Sequence, residues 1–252
     1  MTTDHAELPR LDCHAHVAPD VTRNQLATLG NSHVFAVTRS LSEAKEVASR
    51  TDPTLTWGLG VHPGVASSRA DYDPDSFRQL LPQFALIGEV GLDKRGPRGE
   101  QEQILADVLE ACTGRPVIIS IHSTGRTSEV VNLVGRYPHP GIILHWFLGT
   151  PDDVNRAVAL GAYFSVNNAM SDELLITIPR DRVLPETDYP ARQVHARLPG
   201  ETGPLESRLA RIWRLSENEV RHLMWVNLKQ LAMASGAIDS VSDSLADALL
   251  IV

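Results

Sequence analysis

Cysteine is scarce in this sequence: Cys13 and Cys112 are the only two in 252 residues. Two thiols cannot build a disulfide framework, which fits a reducing compartment. Long apolar runs are missing as well. No stretch of 18 apolar residues occurs, and the first thirty residues carry His, Asp, Glu and Pro where a signal peptide needs an apolar core. The expectation is a cytoplasmic protein without membrane contact. Basic residues are outnumbered, 23 Lys and Arg against 31 Asp and Glu, giving a formal charge of −8. That balance argues against coating nucleic acid non-specifically, yet leaves room for an enzyme that cuts a phosphodiester at a locally basic mouth. A phosphate-cradling glycine loop is absent too, because Gly58-Leu59-Gly60 lacks the remaining glycine and lies inside a strand pattern. The rest is ordinary for a globular chain, 42% hydrophobic and 21% charged. No repeat, low-complexity tract or linker divides it, so residues 1–252 read as a single domain of the size that α/β barrels use.

Eight short apolar runs recur: Leu11–His16, Val34–Val37, Thr56–Val61, Leu86–Gly91, Val117–His122, Ile142–His145, Tyr163–Val166 and Val183–Thr187. Most are continuously apolar rather than alternating, the pattern of strands buried on both faces of a parallel sheet. Helical patterns run between them over 42–50, 75–83, 100–112, 126–136, 152–160 and 171–177, and a longer helical tail follows from 205 to 234. Ser42-Glu43 and Ser216-Glu217 resemble N-caps with acid in the first turn, and Pro151-Asp152-Asp153 starts a helix. The interval after the first run is so short that its helix is expected to be abbreviated or missing. Eight alternating strands and helices predict an α/β fold, a closed (β/α)8 TIM barrel. The end, Asp239–Val252, is acidic and then apolar, a segment that docks either on the body or on a partner.

The histidines are not scattered. In Asp12-Cys13-His14-Ala15-His16, strand alternation points Asp12, His14 and His16 one way and Cys13 the other. His62 follows the third run, Glu89 ends the fourth, His122 the fifth and His145 the sixth, and Asp188 follows the eighth. All lie at carboxyl ends of strands, the barrel face where active sites are built. Four histidines and two carboxylates suit a divalent cation. Glu89, with two oxygens, is the natural bridge between two ions, and paired ions activate water for hydrolysis. Lys94, Arg95 and Arg98 follow Glu89 at the same rim, where they would hold a phosphate. Trp146, next to His145, either walls the pocket or packs outward. Cys13 and Cys112 read as small buried hydrophobes, and His5, His33, His139, His195 and His222 as ordinary.

Together, Asp12-Cys13-His14-Ala15-His16, Gly60-Val61-His62-Pro63, Gly88-Glu89-Val90-Gly91-Leu92-Asp93, His145-Trp146-Phe147-Leu148-Gly149 and Glu186-Thr187-Asp188 resemble the TatD family of metal-dependent hydrolases, within the wider amidohydrolase-like barrels. Asn227, in the last stretch Val220–Leu231, resembles the family's final helix. The resemblance implies a (β/α)8 barrel with divalent metals at the carboxyl face, taken as two ions of Mg2+, Mn2+ or Zn2+. It also implies metal-dependent DNase activity, commonly exonucleolytic, on single-stranded DNA or DNA ends. Carried over by position, His14, His16, Glu89, His122, His145 and Asp188 are metal ligands and His62 is a substrate-side group. Asp188, Glu89 and His62 are then the catalytic residues, with Asp188 holding and deprotonating water. Departures touch substrate choice: Arg126 stands four residues after His122 where the family places an Arg sooner, and no Asn-Glu-Pro is recognisable in Gly200-Glu201-Thr202-Gly203-Pro204.

The same centre would serve amide, ester or lactone hydrolysis, and an inactive scaffold subunit is a third reading that a complete ligand set disfavours. The abbreviated first segment and the apolar Leu249–Val252 end resemble divergent TatD-like proteins of anti-phage defence systems, encoded beside an ATPase and other components. A −8 chain attracts DNA weakly at long range, although residues 189–236 carry seven Lys and Arg against four Asp and Glu. Weak activity alone and stronger activity with a co-encoded partner is the expectation.

Overall fold

A computed structural model describes residues 8–252, so His5 lies outside the described residues. Eight parallel strands form one sheet in sequential order: β1 (Arg10–Ala15), β2 (Ser32–Ala36), β3 (Leu55–Leu59), β4 (Leu86–Gly91), β5 (Ile118–His122), β6 (Ile142–Leu144), β7 (Tyr163–Val166) and β8 (Val183–Pro185). All eight expected runs are strands. Nearly every strand residue is buried, which is why the runs read as continuously apolar. The ends meet beyond β8: the Asp188 N–H donates to the His14 carbonyl at 2.9 Å and the His16 N–H to the Tyr189 carbonyl at 2.8 Å. The TIM barrel is thus joined at its carboxyl end.

The helices are α1 (Arg23–Leu26), α2 (Leu41–Val47), α3 (Ala66–Ala70), α4 (Pro74–Leu80), α5 (Arg98–Cys112), α6 (Thr127–Arg136), α7 (Pro151–Ala159), α8 (Asp172–Thr177), α9 (Gly203–Trp213), α10 (Glu217–Ser235) and α11 (Asp243–Ile251). As expected, the helix after β1 is abbreviated, a single turn. Thr150 caps α7 and Ser216 caps α10, each in a reciprocal capping box. The second box corrects the single tail helix over 205–234. Arg214 takes a left-handed conformation (φ 57°) that ends α9, and the Ser216 cap starts α10. The C-terminal segment docks on the body, because α11 buries Leu245, Ala248 and Leu249 while Lys229 Nζ donates to the Val252 carbonyl at 2.7 Å. Among the described residues, no helix is long and apolar enough to cross a membrane.

Two features aim the site. The ladder shifts register between Asp12 and Ala15 in β1 and between Ile87 and Val90 in β4. These irregularities bracket His14 and Glu89, as bulges beside active sites often do. At Gly91 (φ 144°) a Cβ would lie 2.1 Å from the His122 carbonyl, so only glycine lets the end of β4 press onto β5.

Candidate metal centre

The six expected ligands converge. Their donor atoms fall into three overlapping groups, His14–His16–Glu89, Glu89–His122–His145 and His14–His145–Asp188, with the atoms of each group within 4.8 Å of one another. Glu89 stands at the centre, and its two oxygens face different histidines. Oε2 lies 3.2 Å from His16 Nε2 and 3.8 Å from His14 Nε2. Oε1 lies 2.5 Å from His122 Nδ1 and 3.2 Å from His145 Nε2. Asp188 Oδ1 stands 3.9 Å from His14 Nε2 and 3.7 Å from His16 Nε2. The His14 and His145 rings stack at 3.7 Å, 7° from parallel. Among the described residues, His14 Nε2 and Glu89 Oε2 are buried and make no hydrogen bond.

A second layer fixes how the rings turn. His14 Nδ1 meets Ser120 Oγ at 2.8 Å, His122 Nε2 meets Asp93 Oδ2 at 2.9 Å, and His145 Nδ1 meets Glu186 Oε2 at 3.3 Å. Asn167 Nδ2 donates to Glu186 Oε1 at 2.8 Å, and Ser165 Oγ donates to Oε2. Each ring thereby keeps its other nitrogen for the cavity, the arrangement in which outer partners orient metal-binding imidazoles.

The electrostatics are divided. Burial holds His14 down at about 3 and His62 at about 4. Burial also opposes charge on His16, His122 and His145, but hydrogen bonds and Coulomb attraction from carboxylates override it and raise all three, through Glu89 for His16 and His122 and through Glu186 and Glu89 for His145. Burial pushes Asp188 up to about 7, with His145 opposing and Glu89 and Glu186 reinforcing the rise. Glu89 is driven low despite its burial, because His122 and His62 face it.

The model of TatD-related DNases matches residues 11–232. The chain belongs to the TatD-related DNase family. The 3'-5' ssDNA/RNA exonuclease TatD of Cronobacter turicensis is 31% identical over 146 residues, 52% of this chain and 56% of that protein. The match thus spans little more than half of that curated relative. Among solved structures, a TatD homologue from Escherichia coli superposes with a TM-score of 0.77 at 19% identity, covering 88% of this chain and 97% of that one. A TatD family hydrolase from Entamoeba histolytica gives 0.70 at 18%, covering 89% and 98%. At these identities the structures show the shared barrel.

The family resemblance set His62 on the substrate side, and the structure puts it at the cluster's edge. Its Nδ1 accepts the Gly64 N–H at 3.0 Å and its Nε2 lies 3.4 Å from Glu89 Oε2. The expected rim cations are less free than the sequence suggested. Arg95 is held on both oxygens of Asp93, at 2.9 and 2.7 Å. Arg98 is the first residue of α5 and pairs with Glu102 at 2.8 Å, its other arm 3.7 Å from Glu129. Of the three, only Lys94 makes no ion pair among the described residues; it is exposed, with its stem alongside Gly125. Arg126, the displaced Arg of this TatD-related chain, lies 3.7 Å from the same Glu129. Trp146 is half-buried and packs against the core, in a left-handed backbone (φ 38°). Sequence reasoning missed Ser120, Asp93, Ser165, Asn167 and Glu186 as parts of the site. A signal existed for Ser120, which stands two residues before His122 in β5, the spacing that keeps side chains on one side of an extended strand; Glu186 stands two before Asp188, just beyond the end of β8.

Proposed function

We propose that this protein is a divalent-metal-dependent DNase that hydrolyses phosphodiester bonds exonucleolytically, on single-stranded DNA or DNA ends. The observation that carries the reading is the pair of buried atoms without a hydrogen bond, His14 Nε2 and Glu89 Oε2, at the heart of six convergent side chains of ligand type. An unsatisfied buried polar atom costs about 1–3 kcal/mol, and a lone pair beside a carboxylate oxygen is what a cation needs. The split of Glu89 supports two ions: His14 and His16 would hold one, His122 and His145 the other, and Asp188 would add a carboxylate to the set. Divalent ions held there, Mg2+, Mn2+ or Zn2+, supply Lewis-acid polarisation and offset phosphate charge.

The chain's own groups have distinct tasks. Because the Gly64 N–H occupies His62 Nδ1, the neutral ring carries its proton on Nε2. His62 therefore donates to a phosphoryl oxygen as charge develops there. Asp188 Oδ1, beside His14 and His16, holds the attacking water and takes its proton. Lys94 draws the phosphate to the rim. The free, buried thiols of Cys13 and Cys112 support a cytoplasmic setting. The net charge of −8 supports delivery of substrate by a protein partner, a co-encoded defence component in this reading.

Metal-loaded protein incubated with end-labelled single- and double-stranded DNA, and with a panel of esters, amides and lactones, tests the proposal. The expected result is stepwise shortening of single-stranded DNA, stopped by chelator. Turnover of a lactone or amide with DNA untouched would instead make it an amidohydrolase, and no turnover of any substrate a scaffold.

A further inference from the structure

The barrel has one seam, between β1 and β8, and it is clasped at both ends by different means. At the amino end α10 does the work. Trp225 Nε1 donates to the Pro9 carbonyl at 2.7 Å, and Asn227 Nδ2 donates to the carbonyls of Val183 at 2.8 Å and Arg180 at 2.9 Å. At the carboxyl end one side chain, Asp12, only 1% exposed, reinforces the two backbone bonds that cross the seam there. Its Oδ1 accepts the N–H of Thr187 at 2.9 Å and of His14 at 3.3 Å. Its Oδ2 accepts the Thr187 hydroxyl at 2.5 Å and the Gly200 N–H at 2.8 Å.

Those four donors belong to three segments: β1 itself, the turn that carries Asp188, and the loop leading to α9. Asp12 is not among the grouped ligand atoms, yet it is hydrogen-bonded to the backbone of the ligand His14 and of the residue just before the ligand Asp188. The adjacent backbone bonds, Asp188 N–H to His14 carbonyl and His16 N–H to Tyr189 carbonyl, cross the same seam. Asp188 itself sits in a left-handed conformation (φ 44°), so its direction depends on how the flanking peptide is pinned. A carboxylate is the one side chain here that can accept from all four donors at once.

We propose that Asp12 is a positioning residue of the metal centre: by locking the carboxyl end of the β1–β8 seam it sets Asp188 against His14 and His16. The inference rests on the metal reading of the cluster. Asp12→Asn keeps the volume but turns an NH2 toward N–H donors, so the clasp opens at the site while the amino-end clasp still closes the barrel. Asn227→Ala weakens the seam at the other end and serves as the structural control.

Co2+ titration of the purified protein, followed by visible absorption and by calorimetry, reads the result apart from turnover. Wild-type protein should bind Co2+ with a defined visible spectrum. Asp12→Asn should bind at least about tenfold more weakly, the scale found when the outer partners of metal ligands are lost, and with an altered spectrum. Asn227→Ala should melt lower while keeping the wild-type spectrum and affinity. A folded Asp12→Asn protein with wild-type affinity and spectrum overturns the proposal, as does an equal loss in Asn227→Ala. If Asp12→Asn does not fold, Thr187→Val decides, since it takes the hydroxyl from Asp12 Oδ2, and with it the acceptor of the Tyr189 N–H at 3.2 Å, while leaving the three N–H bonds to Asp12 in place: a smaller shift in the same direction supports the role, and an unchanged titration overturns it. Wild-type protein that takes up no Co2+ overturns the metal reading itself, a failure distinct from that of Asp12.

Discussion

Glu186 is one side chain removed from the metal centre, behind His145, and its replacement by Gln tests how the site is held. The carboxylate accepts from Asn167 Nδ2 through Oε1 and from Ser165 Oγ through Oε2, and Oε2 lies 3.3 Å from His145 Nδ1. With a carboxylate there, the neutral His145 that would bind a metal keeps its proton on Nδ1 and offers the Nε2 lone pair on the side of Glu89. In Glu186→Gln the oxygen is best kept for Asn167, which can only donate from Nδ2, so the new NH2 faces His145. His145 Nδ1 then accepts, the proton moves to Nε2, and the lone pair that faces Glu89 is lost. Loss of an outer partner of this kind weakens metal binding by about 10–100-fold, or about 1.4–2.8 kcal/mol at 1.4 kcal/mol per tenfold. Competition against a chelating dye measures it, and activity should return in part at high metal concentration. A folded Glu186→Gln protein that holds metal as tightly as wild type would refute the reasoning, because it would show that the tautomer of His145 does not govern binding.

Asp188→Asn should lower turnover at least about 10²-fold with a thermal midpoint near that of wild type; steady-state kinetics beside a melting curve check both. His62→Gln, which retains an N–H donor, should keep more activity than His62→Ala, whose loss should be about 10²–10³-fold, and metal stoichiometry by elemental analysis should be the same in both. Burial holds His139 below its ordinary value, with Nε2 donating to the Arg115 carbonyl at 3.1 Å and Nδ1 accepting the Gly141 N–H at 3.0 Å. Its unfolded form takes a proton near pH 6.5 and its folded form only lower, so its stabilisation is full above that pH and is lost as the pH falls below it; urea unfolding at several pH values should show a flatter acid-side decline in His139→Gln.

The strands were legible because burial on both faces leaves nothing polar to interrupt them, and Leu86–Gly91 matches its observed span to the residue. Helix ends were less so. The helix pattern after Glu89 reads from 100, whereas α5 begins at Arg98 behind Pro97; those two residues turn a rim arginine into the partner of Glu102, one turn on. The convergence of the ligand-type side chains was legible because histidines at the carboxyl ends of successive parallel strands gather at one end of a barrel. Their supports were not. Ser120 and Ser165 are short side chains within apolar strands, where a single hydroxyl reads as a tolerated interruption. Asp93 reads as part of a loop, and Glu186 as a neighbour of the more telling Asp188. What separates such residues from the background is a relation between strands: Glu186 matters because β6 brings His145 to it, and Asp12 because the seam brings Thr187 and Gly200, 175 and 188 residues away, within 3 Å. The pattern along one strand records which way a side chain points, while its partner depends on closure of the barrel. A polar residue two before a ligand-type residue is therefore one sequence mark of the supporting layer, shared by Asp12, Ser120 and Glu186, whereas Asp93, Ser165 and Asn167 are tied to the site only by contacts between strands.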